Sequence, residues 1–212
     1  METIYYRRKL PHIHPHNVPL FITFNLVDSL SAALVAQLKA EREKELQAAQ
    51  TAEDRYRIQK KYFGHYDAWL DRCQHGHDWL RQESIAQIVA DEIHRVSGQH
   101  YELYAYCIMP NHVHLLIRSL IEKFPPSREP TAVSPVAEIM RLLRGRTARY
   151  CNLALHREGK FWQHESYDHY VRNEPEMERI ILYILNNPVK AGLAKEWRDW
   201  KFSYVNPDLG EW

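Results

Sequence analysis

The chain of 212 residues has no run of about 18 apolar residues, so a membrane-spanning helix is excluded. Its first residues, Met-Glu-Thr-Ile-Tyr-Tyr-Arg-Arg, lack the apolar core of a secretory signal. Cysteine is scarce: Cys73, Cys107 and Cys151 are an odd number with no close pairing, which points to a reduced, cytoplasmic setting rather than a disulfide scaffold. Charge of one sign is scarce too. The 28 Lys+Arg nearly balance the 27 Asp+Glu, and a net +1 argues weakly against a generic polyanion binder. The surplus is local, because Ile139 to Arg172 holds seven Lys/Arg and three Asp/Glu, an excess of four positive charges. What is present, 45% hydrophobic and 26% charged residues, is ordinary for a globular chain, and the length suffices for one domain with a sizeable core.

Phe21 to Val27 alternates and is rich in aromatic and β-branched residues, so it reads as a strand. Ser29 or Ser31 caps a helix over Ala32 to Gln50. The charged stretch that follows, interrupted at Gly64, reads as a solvated helical arm, an insertion over about 40–76. Ile85 to Val96 carries a helical apolar stripe. Tyr101 to Ile108 and His112 to Arg118 form a hairpin turning at Pro110-Asn111. Pro125 to Pro135 reads as an exposed loop, and Ser134-Pro135 opens a helix to about Leu155. Phe161 to Val171 is extended. Asn173 caps a last helix, which Pro188 ends near Asn187. The order predicts an α+β fold, an antiparallel sheet with helices packed on its faces, as a single domain over 1–212.

Histidine is plentiful, and three His-x-His patterns occur. His12, His14 and His16 lie in Pro-rich sequence and read as a solvated lead-in; His75 and His77 flank Gly76 in a polar turn. Only His112 and His114 fall in a strand. There they share one face while Val113 points to the other, so two imidazoles stand side by side and could ligate a divalent ion. No Asp or Glu lies within nine residues before His112 or seven after His114, which disfavours an ordinary strand-built metallohydrolase. In the last helix, Tyr183 sits at the edge of the stripe Met177, Ile180, Ile181 and Ile184, and Asn187 shares its side. Against the histidine strand, Tyr183 would be a phenol beside an ion and Asn187 a third ligand, a set suiting Mg²⁺ or Mn²⁺. Arg141, Arg144, Arg146 and Arg149 line one helix and Arg172 follows, all able to hold phosphates; Phe161, Trp162, Tyr167 and His169 could contact unpaired bases.

Met109-Pro110-Asn111-His112-Val113-His114 resembles the paired-histidine motif of the HUH single-tyrosine (IS200-like) transposases. Gly159 to Gln163, Tyr167 to Arg172, Tyr183 to Lys190, Arg144 to Arg149 and Trp200 to Tyr204 resemble the REP-associated tyrosine transposases in particular. The resemblance spans roughly 100–206 plus the strand at 21–27. It implies a ferredoxin-like sandwich, His112, His114 and Asn187 as ligands of Mg²⁺ or Mn²⁺, and Tyr183 as the nucleophile. Tyr167 and Tyr170 are reserve nucleophiles. The implied partner is single-stranded or hairpin DNA, cut and rejoined through a 5′-phosphotyrosine link by a monomer or homodimer. The alternative is a catalytically silent nucleic-acid-binding protein of the same fold. The resemblance implies nothing about the insertion.

Overall fold

A computed structural model describes residues 3–7, 11–73, 75–121 and 134–212. Seven strands and five helices follow in order: β1 (Thr3–Arg7), β2 (Pro11–Pro15), β3 (Leu20–Asn25), α1 (Ala32–Ala48), α2 (Ala52–Asp71), α3 (Glu83–Val96), β4 (Tyr101–Ile108), β5 (His112–Ser119), α4 (Pro135–Ala154), β6 (Tyr167–Tyr170), α5 (Glu174–Lys190) and β7 (Ser203–Val205). β1 and β2 pair as a separate ribbon, and the other five strands form one antiparallel sheet in the order β6-β3-β5-β4-β7. The run β3-α3-β4-β5-α4-β6 is a split βαβ unit of the ferredoxin type, as the resemblance implies. The α1–α2 hairpin is inserted between β3 and α3, and α5 and β7 are appended.

The pleat sends alternate residues to opposite faces. On one face Leu20, Ile22, Phe24, Val113, Leu115 and Ile117 pack with the apolar stripes of α3 and α4 into the larger core. On the other, Phe21, Cys107 and Leu116 meet Ile181, Ile184 and Leu185 of α5. A split βαβ unit puts its two helices on one face; here α5 and the inserted α2 cover the second.

Local signals set most boundaries. Ser31, Thr51, Ser134 and Asn173 each accept a backbone N–H at a helix start, and Thr51 with Asp54 forms a complete capping box. Two expected breaks do not occur. α2 passes through Gly64, where a helical glycine costs roughly 1 kcal/mol against alanine, and its neighbour Phe63 is anchored by stacking on Tyr167. α5 runs through Pro188 to Lys190, because Pro188, Asn187 and Leu185 are all buried and packing outweighs the local preference. Beyond it Ala191 N–H bonds the Asn187 carbonyl (3.0 Å) and Leu193 N–H bonds the Pro188 carbonyl (2.9 Å). His14 is no solvated lead-in: it is buried in β2, with Nδ1 on the Ser134 hydroxyl and Nε2 3.1 Å from Asp168. It ties the N-terminal ribbon to the start of α4 and to β6. The proline-rich stretch from 125, up to position 133, lies outside the described residues.

Candidate active site

His112 and His114 project from β5 onto the α5 face, both fully buried. Their Nε2 atoms lie 3.0 Å apart. Each ring is gripped from behind. His112 Nδ1 is 2.7 Å from Asn111 Oδ1, an atom that can only accept, so Nδ1 carries the proton and Nε2 presents a lone pair. Asn111 is itself fixed by donating Nδ2 to the Leu70 carbonyl at 3.2 Å. His114 Nδ1 meets the hydroxyl of Thr23, its cross-strand partner, at 2.8 Å. Burial first, then the neighbouring His112 and Lys190, holds the His114 imidazole well below its usual range, so it stays neutral. Two imidazoles whose outer nitrogens are engaged and whose inner nitrogens converge make a ligand pair with its orienting partners in place.

α5 brings the next two groups. Asn187, fully buried, sets Nδ2 2.9 Å from His114 Nε2, and its Oδ1 has no partner among the described residues. Tyr183, one turn earlier and partly exposed, lies with its ring centroid 5.4 Å from that of His114. Lys190 Nζ is 4.7 Å from the Tyr183 ring centroid, a cation beside the phenol.

The remaining groups come from α2, read from sequence as a solvated arm. Asp67 and Asp71, one turn apart, face the histidines: Asp71 Oδ1 is 3.4 Å from His112 Nε2, and Asp67 Oδ2 is 4.0 Å from His114 Nε2. The four side chains offer ligand atoms all within 4.8 Å of one another. The Tyr183 hydroxyl donates to Asp67 Oδ2. Burial, reinforced by Asp71 and opposed by Lys190, pushes the Asp67 carboxyl well above the usual carboxylate range. α2 is seated by Phe63 stacked on Tyr167 and by Tyr56 next to His169 (ring centroids 6.1 Å). The arm is therefore part of the site. Its one sequence signal is a pair of acids at i and i+4, the first on the helix's buried side with Leu70.

The residues fit a divalent ion: two imidazole nitrogens, an amide and two carboxylates converge, and the unpartnered Asp67 Oδ1 and Asn187 Oδ1 lack the neighbour that a cation would supply.

The candidate DNA contacts do not gather on one surface. At about 100° per residue, Arg146 lies about 140° around α4 from Arg141. Arg141 pairs with Glu138 (2.6 Å) and Arg146 with Glu92 of α3 (2.9 Å), while Arg149 is exposed. Arg144 bonds the Gln163 and His164 carbonyls, so it holds the loop before β6. Trp162 is a core residue, packed edge-on against Phe24 with Nε1–H on Thr147 (2.9 Å); a ring so buried has no free face for a base. Phe161 is also buried. His169 is bonded to Glu176 (3.1 Å), and the exposed Arg172 lies 3.8 Å over the Tyr56 ring. Tyr167, partly buried, stacks on Phe63 of α2, and Tyr170 packs toward the α3–α4 core.

Fold and site define a class. The family model described as "Transposase IS200 like" matches residues 72–187, more than half of the chain, and the chain belongs to that family. It is similar in particular to REP-associated tyrosine transposases. One so assigned in Haemophilus influenzae is 27% identical over 118 residues, covering 52% of this chain and 64% of the relative. Another, from Escherichia coli K12, is 25% identical over 109 residues, covering 51% and 57%. The chain thus spans less than two thirds of either relative. A solved REP-associated tyrosine transposase bound to a REP hairpin superposes with a TM-score of 0.49 at 20% identity, covering 93% of this chain and 80% of that one. No described helix is long and apolar enough to cross a membrane.

Proposed function

We propose that this transposase is a divalent-metal-dependent endonuclease and strand transferase for single-stranded, hairpin-forming repeat DNA. One observation carries the reading: the Tyr183 phenol sits in the same cluster as the paired imidazoles, its hydroxyl on an acid 4.0 Å from His114. The REP-associated naming of its relatives supports the substrate class. His112, His114 and Asn187 would hold Mg²⁺ or Mn²⁺. When bound, the ion supplies Lewis acidity that draws charge from a phosphate oxygen.

The residues supply the rest. Tyr183 and Asp71 are the partly exposed edge of the site, so a phosphate approaches from their side. The Tyr183 hydroxyl proton already points at Asp67 Oδ2, the acceptor placed to take it. The phenolic oxygen forms a bond to phosphorus, the bond to the 3′-oxygen breaks, and that oxygen leaves with the electron pair and gains a proton. The product is a 5′-phosphotyrosine link and a free 3′-hydroxyl. Attack by another 3′-hydroxyl reverses the step and joins new ends, with no external energy source.

Tyr183→Phe tests this on a denaturing gel with Mg²⁺ or Mn²⁺ and a hairpin oligonucleotide. Covalent adduct should fall about a thousandfold or more while DNA binding persists. An adduct that survives in the variant would overturn the nucleophile. A wild-type chain that binds the hairpin yet never cuts it would make this a silent DNA-binding member of the family.

A further inference from the structure

We infer that the α1–α2 hairpin completes the ion site: Asp67 and Asp71 are carboxylate ligands, and with His112, His114 and Asn187 they form a two-nitrogen, three-oxygen set that prefers Mn²⁺ to Mg²⁺. The inference rests on the ion-dependent reading above and adds ligands to it. Both acids lie on the α1–α2 hairpin, outside the matched 72–187 segment.

Spacing is the first argument. Ligands at about 2.1 Å from an ion stand about 3.0 Å apart in an octahedral cis pair, about 3.4 Å in a tetrahedral pair and about 4.2 Å when trans. The observed separations are 3.0 Å between the imidazoles, 3.4 Å from His112 to Asp71 and 4.0 Å from His114 to Asp67. All three are shorter than the trans separation, and the four ligand atoms, within 4.8 Å of one another, close on one ion with small side-chain movements. Charge is the second. A fully buried aspartate beside a second carboxylate is repulsive, and among the described residues Lys190 is the cation that acts on it. A divalent cation removes that repulsion, and the unpartnered Asp67 Oδ1 and Asn187 Oδ1 mark where it would be felt. Rigidity is the third. The Thr51–Asp54 capping box and the Phe63–Tyr167 stack fix α2, so its acids are presented rather than trailing in solvent. Ion preference follows from the donors: Mg²⁺ favours oxygen ligands and retained waters, whereas imidazole nitrogens favour first-row transition ions.

The test reads Mn²⁺ binding by the metal-stripped full chain, from the electron paramagnetic resonance signal of free Mn²⁺. Asp67→Asn and Asp71→Asn should each weaken affinity about tenfold or more, and Mg²⁺ should displace Mn²⁺ only at about tenfold excess or more. If both variants bind Mn²⁺ as wild type does while His112→Ala does not, the carboxylate ligands are overturned and the histidine site stands. If His112→Ala binds unchanged as well, the ion-dependent reading itself falls. Should the asparagine variants not fold, difference infrared spectra of wild type with and without Mn²⁺ decide: shifted aspartate carboxylate bands support the ligation, and unshifted bands overturn it.

Discussion

His114 and Leu115 are neighbours in β5 and inhabit opposite faces of one sheet. Both are fully buried, yet the two burials are of different kinds. Leu115 enters a hydrocarbon layer with Ile22, Val113 and the stripes of α3 and α4, where contacts are interchangeable so long as volume is kept. His114 enters a layer where every polar atom has an assigned partner or a conspicuous lack of one: Thr23 behind, Asn187 and His112 beside, Asp67 in front. One face holds the fold, and the other is arranged around a charge. A polar layer of this kind costs stability unless something completes it.

That contrast is sharpest in paired substitutions. Leu115→Ala should cost about 2–5 kcal/mol of unfolding free energy in urea titration and leave the adduct-forming ability of the folded fraction intact. His114→Ala should reduce adduct formation about a hundredfold or more, with a smaller loss of about 1–3 kcal/mol in the metal-free protein, from leaving Thr23 and Asn187 without their partner. If His114→Ala unfolds the chain as badly as Leu115→Ala, the polar layer is merely core and the comparison fails.

Much of this arrangement is legible in the sequence where period and chemistry coincide. The spacing of His112 and His114 puts two imidazoles on one strand face, and that of Tyr183 and Asn187 puts phenol and amide on one helix side; the sheet register and α5 then bring the two pairs together. Asp67 and Asp71 are not legible in the same way. Their helix carries a mostly polar surface, and nothing in its own residues says that it folds back over the sheet; that depends on Phe63 finding Tyr167 more than a hundred positions on. His14 hides for the same reason, since its partners Ser134 and Asp168 are distant in the chain. Trp162 misleads because aromatic residues in a basic segment suit base stacking and core packing equally. Its environment separates the two.

Trp162 therefore offers a second, milder test of which face a residue serves. It borders β3 from the α4 side, with Phe24 under its ring and Thr147 on its nitrogen. Trp162→Phe should cost about 1–3 kcal/mol of stability, from lost volume and a lost buried hydrogen bond, measured by urea unfolding. Hairpin affinity at fixed salt should not change for the folded protein. A drop of tenfold or more with stability intact would mean that the ring reaches DNA after all.

The smallest effect separates the arginines of α4. A charge that meets a phosphate releases counterions, so its removal lowers the slope of log affinity against log salt by about 0.7 for a single strand or about 0.9 for a duplex. A charge already matched to a protein carboxylate has less to give. Arg146 is held by Glu92, on the side that packs on α3, whereas Arg149 is exposed. Arg149→Ala should lower the slope by about one such increment, and Arg146→Ala should leave it where it was. Glu92 is buried but keeps both bonds from Arg95 when Arg146 is removed, so neither change should unfold the protein and confuse the reading. The reverse pattern, with Arg146 carrying the salt dependence, would move the DNA-binding surface to the α3 side of the helix and away from the Tyr183 edge of the site.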